Sequence, residues 1–156
     1  MRKLLYALLI AAVMLVPVKP NDVGALRPVK VVLLTRPAET FVLQTDTGDW
    51  GTGKSIAAAL ENLNATTPGI LYLDTARYLL VSEDALDAVQ ELRDVMKGKV
   101  QLCMAESVEL TEETAQFLQS HGQLPQLKTW EKGRPLPLLT MVEKRLIFSK
   151  KLENNA

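Results

Sequence analysis

The sequence has very few of the side chains that most often hold metals or carry out catalysis. Its 156 residues include one cysteine, Cys103, and one histidine, His121. A single cysteine excludes an internal disulfide, and one residue of each type cannot form the clusters that bind zinc. Cys103 lies in the apolar run VQLCM, which favours a small core residue, and His121 precedes Gly122, which favours a role at a helix C-terminus. We therefore expect no metal and no cofactor.

An excess of charge of either sign is also absent. The chain carries 18 basic and 18 acidic residues, so its formal net charge is zero. No stripe of basic residues is present, which argues against a nucleic-acid partner. No G-x-S-x-G motif occurs, and a single histidine gives little scope for a nucleophile paired with a base. These absences predict a protein that is not an enzyme.

What the sequence does have is a strongly apolar N-terminus. Arg2 and Lys3 form a basic head, and residues 4–18 carry no charge. This length suits the apolar core of a signal peptide better than a membrane span, which needs about 20 residues. We interpret residues 1–25 as a signal peptide, cleaved after Ala25, or as an uncleaved N-terminal membrane anchor. Either predicts a bacterial, extracytoplasmic protein that is membrane-anchored or secreted.

The remaining chain has the size and pattern of one small domain over residues 26–150, followed by a frayed tail at 151–156. Short β-branched runs alternate with amphipathic stretches, which predicts α/β or α+β architecture with a small mixed β-sheet and about three helices. The predicted strands are 29–35, 40–46, 100–104, 136–142 and 146–149. The apolar runs 70–74 and 78–81 are interpreted as two buried strands or as a strand and a turn. The predicted helices cover 54–64, the stretch from Ser82 to Lys97, and the stretch from Thr111 to His121.

One segment matches the phosphate-binding pattern G-x-x-x-x-G-K-S. It begins at Gly48 and ends with Gly53, Lys54 and Ser55. In such a loop, glycine amides cradle phosphates, lysine neutralises them and serine holds magnesium. Asp74, at the end of the run ILYLD, would supply the carboxylate that completes the magnesium site. The pattern predicts a nucleotide-binding protein as an alternative function.

Several features instead favour a glycine-rich turn that leads into a helix. The preceding strand ends in the polar run QTDT, whereas a phosphate loop follows a buried strand. Asp46 and Asp49 place negative charge where a triphosphate would lie. A domain of about 130 residues is small for a nucleotide-binding fold, and an exported protein meets little ATP. We therefore assign this segment no cofactor-binding role.

Trp50, inside the same segment, is the best candidate for a contact with a partner. An indole in a glycine-rich turn acts either as a binding anchor or as a lid over the local core. The sequence leaves both open.

Six segments follow one another in a recognisable order of strands, turns and helices: 22–34, 51–56, 78–86, 100–105, 136–139 and 145–148. This order resembles the N-terminal domain of the Ger(x)C family, the C subunits of spore germinant receptors. The chain lacks the cysteine to which family members attach lipid, and it stops where the family continues into further domains. The resemblance implies an exported, non-enzymatic protein of endospore-forming bacteria.

Together these observations predict a non-catalytic envelope protein that binds or scaffolds a membrane partner, in sporulation or spore germination. The membrane contact would be made by the N-terminal segment, and a membrane protein would be the partner. A secreted domain that binds peptide or cell-wall material is a further alternative. The sequence does not specify an oligomeric state.

Overall fold

The computed structural model describes residues 26–96, 98–121 and 123–149. The predicted leader, 1–25, and the predicted tail, 151–156, lie outside these described residues. The described strands are β1 (Leu26–Pro28), β2 (Val31–Thr35), β3 (Phe41–Thr45), β4 (Trp50–Gly53), β5 (Ile70–Tyr72), β6 (Tyr78–Val81), β7 (Gln101–Glu106), β8 (Leu138–Val142) and β9 (Arg145–Ser149). The α-helices are α1 (Ile56–Thr66), α2 (Val89–Val95) and α3 (Glu112–Ser120).

Seven of the strands form one mixed sheet in the order β4-β3-β2-β6-β7-β8-β9. The central strands β2, β6, β7 and β8 are parallel, while β3 and β4 on one side and β9 on the other are antiparallel to their neighbours. Parallel strands are covered on both faces, which explains why β2 and β6 read as the continuous apolar runs VVLLT and YLLV. The predicted mixed α/β class is confirmed.

Alternate side chains of the sheet enter two apolar cores, one on each face. On the first face, Val32, Leu79 and Leu102 pack with residues of α1 and α2. On the second face, Leu80 and Cys103 pack with residues of α3. The chain that follows α3 returns to the first face, where Trp130 is buried. The domain therefore has helices on both sides of a single sheet.

Helix α1 begins where Ser55 accepts a hydrogen bond from the Ala58 backbone N–H at 3.2 Å, as expected of a serine N-cap. The helix lies directly on β4, and two glycines make this approach possible. A Cβ on Gly51 would be 2.4 Å from the Ala59 carbonyl oxygen, and a Cβ on Gly53 would be 2.4 Å from the Ala59 nitrogen. Side chains at positions 51 and 53 would therefore collide with the backbone of α1.

The outer edge of β4 is closed by side chains of the same helix. The Asn62 side-chain oxygen accepts a hydrogen bond from the Thr52 N–H at 3.0 Å, and the Thr66 hydroxyl donates to the Trp50 carbonyl at 3.3 Å. Unpaired backbone groups at a sheet edge invite pairing with another strand. These two contacts occupy one outward-facing N–H and one outward-facing carbonyl of β4, so helix side chains partly cover that edge.

The structure corrects three of the predicted elements. The glycine-rich segment is a turn only as far as Asp49, because residues 50–53 pair with β3 as β4. The second helix is a 3₁₀-helix over Glu83–Ala88 before it becomes α2, and Ser82 forms no side-chain cap. The run at 70–74 is not a buried strand, since β5 pairs only with β1 outside the main sheet.

We expect Gly51→Ala to destabilise the domain strongly, because the new methyl group meets helix backbone that cannot rotate away. Overpacking of this kind costs about 1–3 kcal/mol, and more when backbone must move. Gly133 is the matched control: its φ is +96° and a Cβ there would meet nothing within 4 Å. Gly133→Ala should therefore lower the free energy of unfolding by only about 1 kcal/mol, because alanine is disfavoured in the left-handed conformation. Urea unfolding of both variants measures the difference, and equal losses would contradict the packing role.

A second prediction concerns the buried thiol, since burial raises the pKa of Cys103 to about 12 from an ordinary value of 9.0. Above pH 9 the unfolded chain loses this proton while the folded chain keeps it, so stability must fall as pH rises. The measurement compares the free energy of unfolding of the native chain with that of Cys103→Ala. The difference, native minus variant, should fall by about 1.4 kcal/mol per pH unit between pH 9 and 12. A pH-independent difference would show that the thiol is not buried.

Candidate functional site

The segment that matches the phosphate-binding pattern is divided among three structural elements. Gly48 adopts φ +86° in the turn between β3 and β4. Gly51 and Gly53 belong to β4, where they pair with Leu43 and Phe41 of β3. The exposed Lys54 precedes Ser55, the N-cap of α1. The glycines therefore serve a turn and a close helix–strand contact, and no continuous loop of free amides is formed.

Asp74 lies at the opposite end of the sheet from Lys54 and Ser55. Gly53 pairs with Phe41 beside the carboxyl end of β2. Asp74 lies in the 3₁₀ turn that leads into the amino end of β6, and its carbonyl oxygen faces Gly98, shortly before β7 begins. The structure does not bring Asp74 together with the lysine and serine of the matched pattern.

Trp50 is the first residue of β4 and is 59% exposed. It borders a shallow depression together with Gly48, Asp49, Asn62 and Thr66. The indole belongs to neither apolar core, which favours the binding-anchor interpretation over the lid. The buried tryptophan is Trp130, whose Nε1 donates to the Arg134 carbonyl at 3.1 Å.

An exposed apolar surface lies on the two-stranded parallel sheet of β1 and β5. The register places Leu26 opposite Ile70, and Pro28 opposite Tyr72. Leu26, Ile70 and Tyr72 are 39%, 56% and 45% exposed. We call these four residues the ribbon face. Sequence reasoning missed this face, because the run ILYLD has the apolar character of a buried strand. Nothing in the local sequence indicates that no described element covers one side of it.

The opposite side of this ribbon is fixed to the domain. The Arg27 guanidinium donates to the Asp49 carboxylate at 2.9 Å and to the Thr47 carbonyl at 3.2 Å. Leu71, which pairs with Arg27, packs against the first core. The Thr75 hydroxyl is 3.1 Å from both the backbone nitrogen and the carbonyl oxygen of Val29. The ribbon face is therefore presented on a firmly attached support.

A second candidate site is a cleft of about 630 Å³ at the carboxyl ends of β2, β6 and β7. We call it the carboxyl-end cleft. Its lining residues are Leu33, Thr35, Ser82, Glu83, Asp84, Met104, Ala105, Glu106, Ser107, Val108 and Leu138. Sequence reasoning missed this site as well, although a signal was present: the acidic residues directly follow two predicted strands, where the carboxyl ends of parallel strands meet.

The single histidine has the local structural role that its position predicts. His121 is the C-cap residue of α3, and its Nδ1 lies 2.9 Å from the Phe117 carbonyl oxygen. Its ring stacks on the Phe117 ring with the centroids 3.8 Å apart. Within ranges 26–96, 98–121 and 123–149, no group of histidine, cysteine and acidic residues is arranged to hold a metal ion.

Comparisons with protein-family models, with curated proteins and with solved structures give no match. The resemblance to the Ger(x)C family therefore stays a hypothesis based on the sequence pattern. None of the helices in the described part of the chain is long and apolar enough to cross a membrane.

The two tryptophans provide a test of these placements. Trp130→Ala should lower the free energy of unfolding by about 3–5 kcal/mol, since it removes a large buried side chain. Trp50→Ala should change the free energy of unfolding by less than about 0.5 kcal/mol, because the indole is exposed. Chemical unfolding of each variant measures both effects, and acrylamide should quench Trp50 fluorescence far more than that of Trp130. Comparable destabilisation by the two substitutions would refute the assignment.

Proposed function

We propose that the chain is an exported protein of the bacterial envelope that acts by binding a membrane protein rather than by catalysis. The segment 1–25 would direct it across the membrane and, if uncleaved, hold it there. The observation that carries this proposal is the exposed ribbon face, which begins at the first residue after that segment. The Ger(x)C resemblance supports a role in sporulation or spore germination.

The position of the ribbon face favours a partner that lies close to the bilayer. Seven residues, 19–25, separate the apolar run from Leu26. Seven extended residues span at most about 25 Å. With an uncleaved leader, the ribbon face would lie within this distance of the membrane surface, where a membrane protein presents its extracytoplasmic loops.

The composition of the ribbon face also fits an interface. Isolated exposed apolar residues are ordinary, but a contiguous apolar group on one rigid face is typical of a docking surface. Tyr72 offers a large, partly apolar contact at low cost in side-chain entropy. Ile70 is the most exposed large aliphatic side chain in the described part of the chain. We assign partner contact mainly to these two residues, with Trp50 as a further candidate.

Site-specific photocrosslinking in native membranes tests this proposal. A photoreactive residue at Tyr72 of the full chain should crosslink to one membrane protein. Adding Ile70→Asp should reduce that product at least about tenfold, as loss of a central contact does. The substitution should leave stability nearly unchanged, because Ile70 is 56% exposed.

The control probe is placed at Ile147, which is 43% exposed on β9, against 45% for Tyr72. It should give no such product. The proposal fails if both positions give the same products, or if Ile70→Asp leaves the crosslink from position 72 intact.

A further inference from the structure

The carboxyl-end cleft occupies the place in this fold where ligands usually bind. In open sheets with parallel strands, ligands enter the crevice outside the carboxyl ends, where connections from adjacent strands diverge. Here the chain leaves β2 towards β3 on one side and leaves β6 towards β7 on the other. The cleft is lined by residues at the ends of these strands, so it lies at that divergence.

The size and floor of the cleft fit a small organic molecule. Its volume of about 630 Å³ is within the range of small-ligand sites, about 300–1,000 Å³. Its floor is apolar, formed by side chains that are themselves held in the two cores. The floor residues are Leu33, Met104, Ala105, Val108 and Leu138.

Among the described residues that line the cleft, the charged side chains are all acidic. Glu83, Asp84 and Glu106 line it, and no lysine or arginine does. Arg36 follows the lining residue Thr35, but its guanidinium is paired with Asp87 at 2.9 Å. The Ser82 hydroxyl donates to the Asp84 carboxylate.

Two of these acids form no ion pair with any residue that the structure describes. In the described ranges, the ion pairs are Arg27–Asp49, Arg36–Asp87 and Arg134–Glu131, so neither Asp84 nor Glu106 has a cationic partner there. Ser107, beside Glu106, adopts φ +54°, a conformation that costs energy for a residue with a side chain and that is found disproportionately at binding sites. An apolar floor beneath a negative mouth is complementary to an amphipathic cation.

We propose that the carboxyl-end cleft binds a small organic amine, with the apolar body of the ligand on the floor and its ammonium group at Asp84 and Glu106. The floor excludes water from the alkyl chain, and the carboxylates accept hydrogen bonds from the ammonium group. A carboxylate ligand of the same shape is repelled. This site is separate from the ribbon face and goes beyond partner docking.

Calorimetric titration of the full chain in a non-ionic detergent, with detergent alone as the blank, tests the proposal. Hexylammonium should bind saturably. Hexanol should bind at least about fivefold more weakly, because it has no charge to interact with the carboxylates. Hexanoate should not bind. Butylammonium should bind about fifteenfold more weakly than hexylammonium, since each buried methylene contributes about fourfold.

Variants assign the binding to the cleft. The pair Asp84→Asn and Glu106→Gln keeps the shape of both exposed side chains and should weaken hexylammonium binding at least about fivefold, with hexanol binding unchanged. Glu61 is an exposed acid on α1 that does not line the cleft. The control substitution Glu61→Gln should therefore leave hexylammonium affinity unchanged. The proposal is overturned if hexanoate binds as well as hexylammonium, or if the double variant binds hexylammonium with unchanged affinity.

Discussion

The contact between α1 and β4 decides how one whole side of the domain is built. Gly51 and Gly53 lie on the same face of β4, two residues apart, and the backbone of α1 rests where their side chains would be. This close approach brings Asn62 and Thr66 within hydrogen-bonding distance of the β4 edge. It also places Ile56, Ala59 and Leu63 in the first core. A larger residue at either glycine would separate the helix from the sheet, uncover the edge and open that core.

Part of the resemblance to a nucleotide-binding loop comes from this same contact. Of the matched residues, Gly53 admits the helix backbone and Ser55 caps the helix, while Gly48 lies in the preceding turn and Lys54 is exposed. A phosphate loop needs the same residue types for a different reason, since its glycine amides must remain free for the ligand. In this structure the glycines pair with β3, and Asp74 lies at the far end of the sheet. Residue types in a pattern therefore do not identify a site unless the topology also brings its parts together.

Much of the fold could be predicted because its signals are local. The apolar runs of β2 and β6, the apolar stripe of α1 and the threonine cap of α3 each depend on a few nearby residues. The candidate sites depend on distant parts of the chain and could not be located in this way. Ile70 and Tyr72 are exposed because β5 pairs with β1, more than 40 residues earlier, rather than joining the main sheet. The carboxyl-end cleft similarly combines residues from four separate strands or their connections.

The function proposed for the ribbon face requires that the domain lies outside the cytoplasm beside a membrane partner. The most direct measurement is the orientation of the chain, made with reporters fused after Ser149 in bacterial cells. The account predicts an active alkaline phosphatase fusion, because that enzyme needs the oxidising exterior for its disulfides, and a non-fluorescent fusion to green fluorescent protein. A fluorescent cytoplasmic fusion with an inactive phosphatase would contradict it.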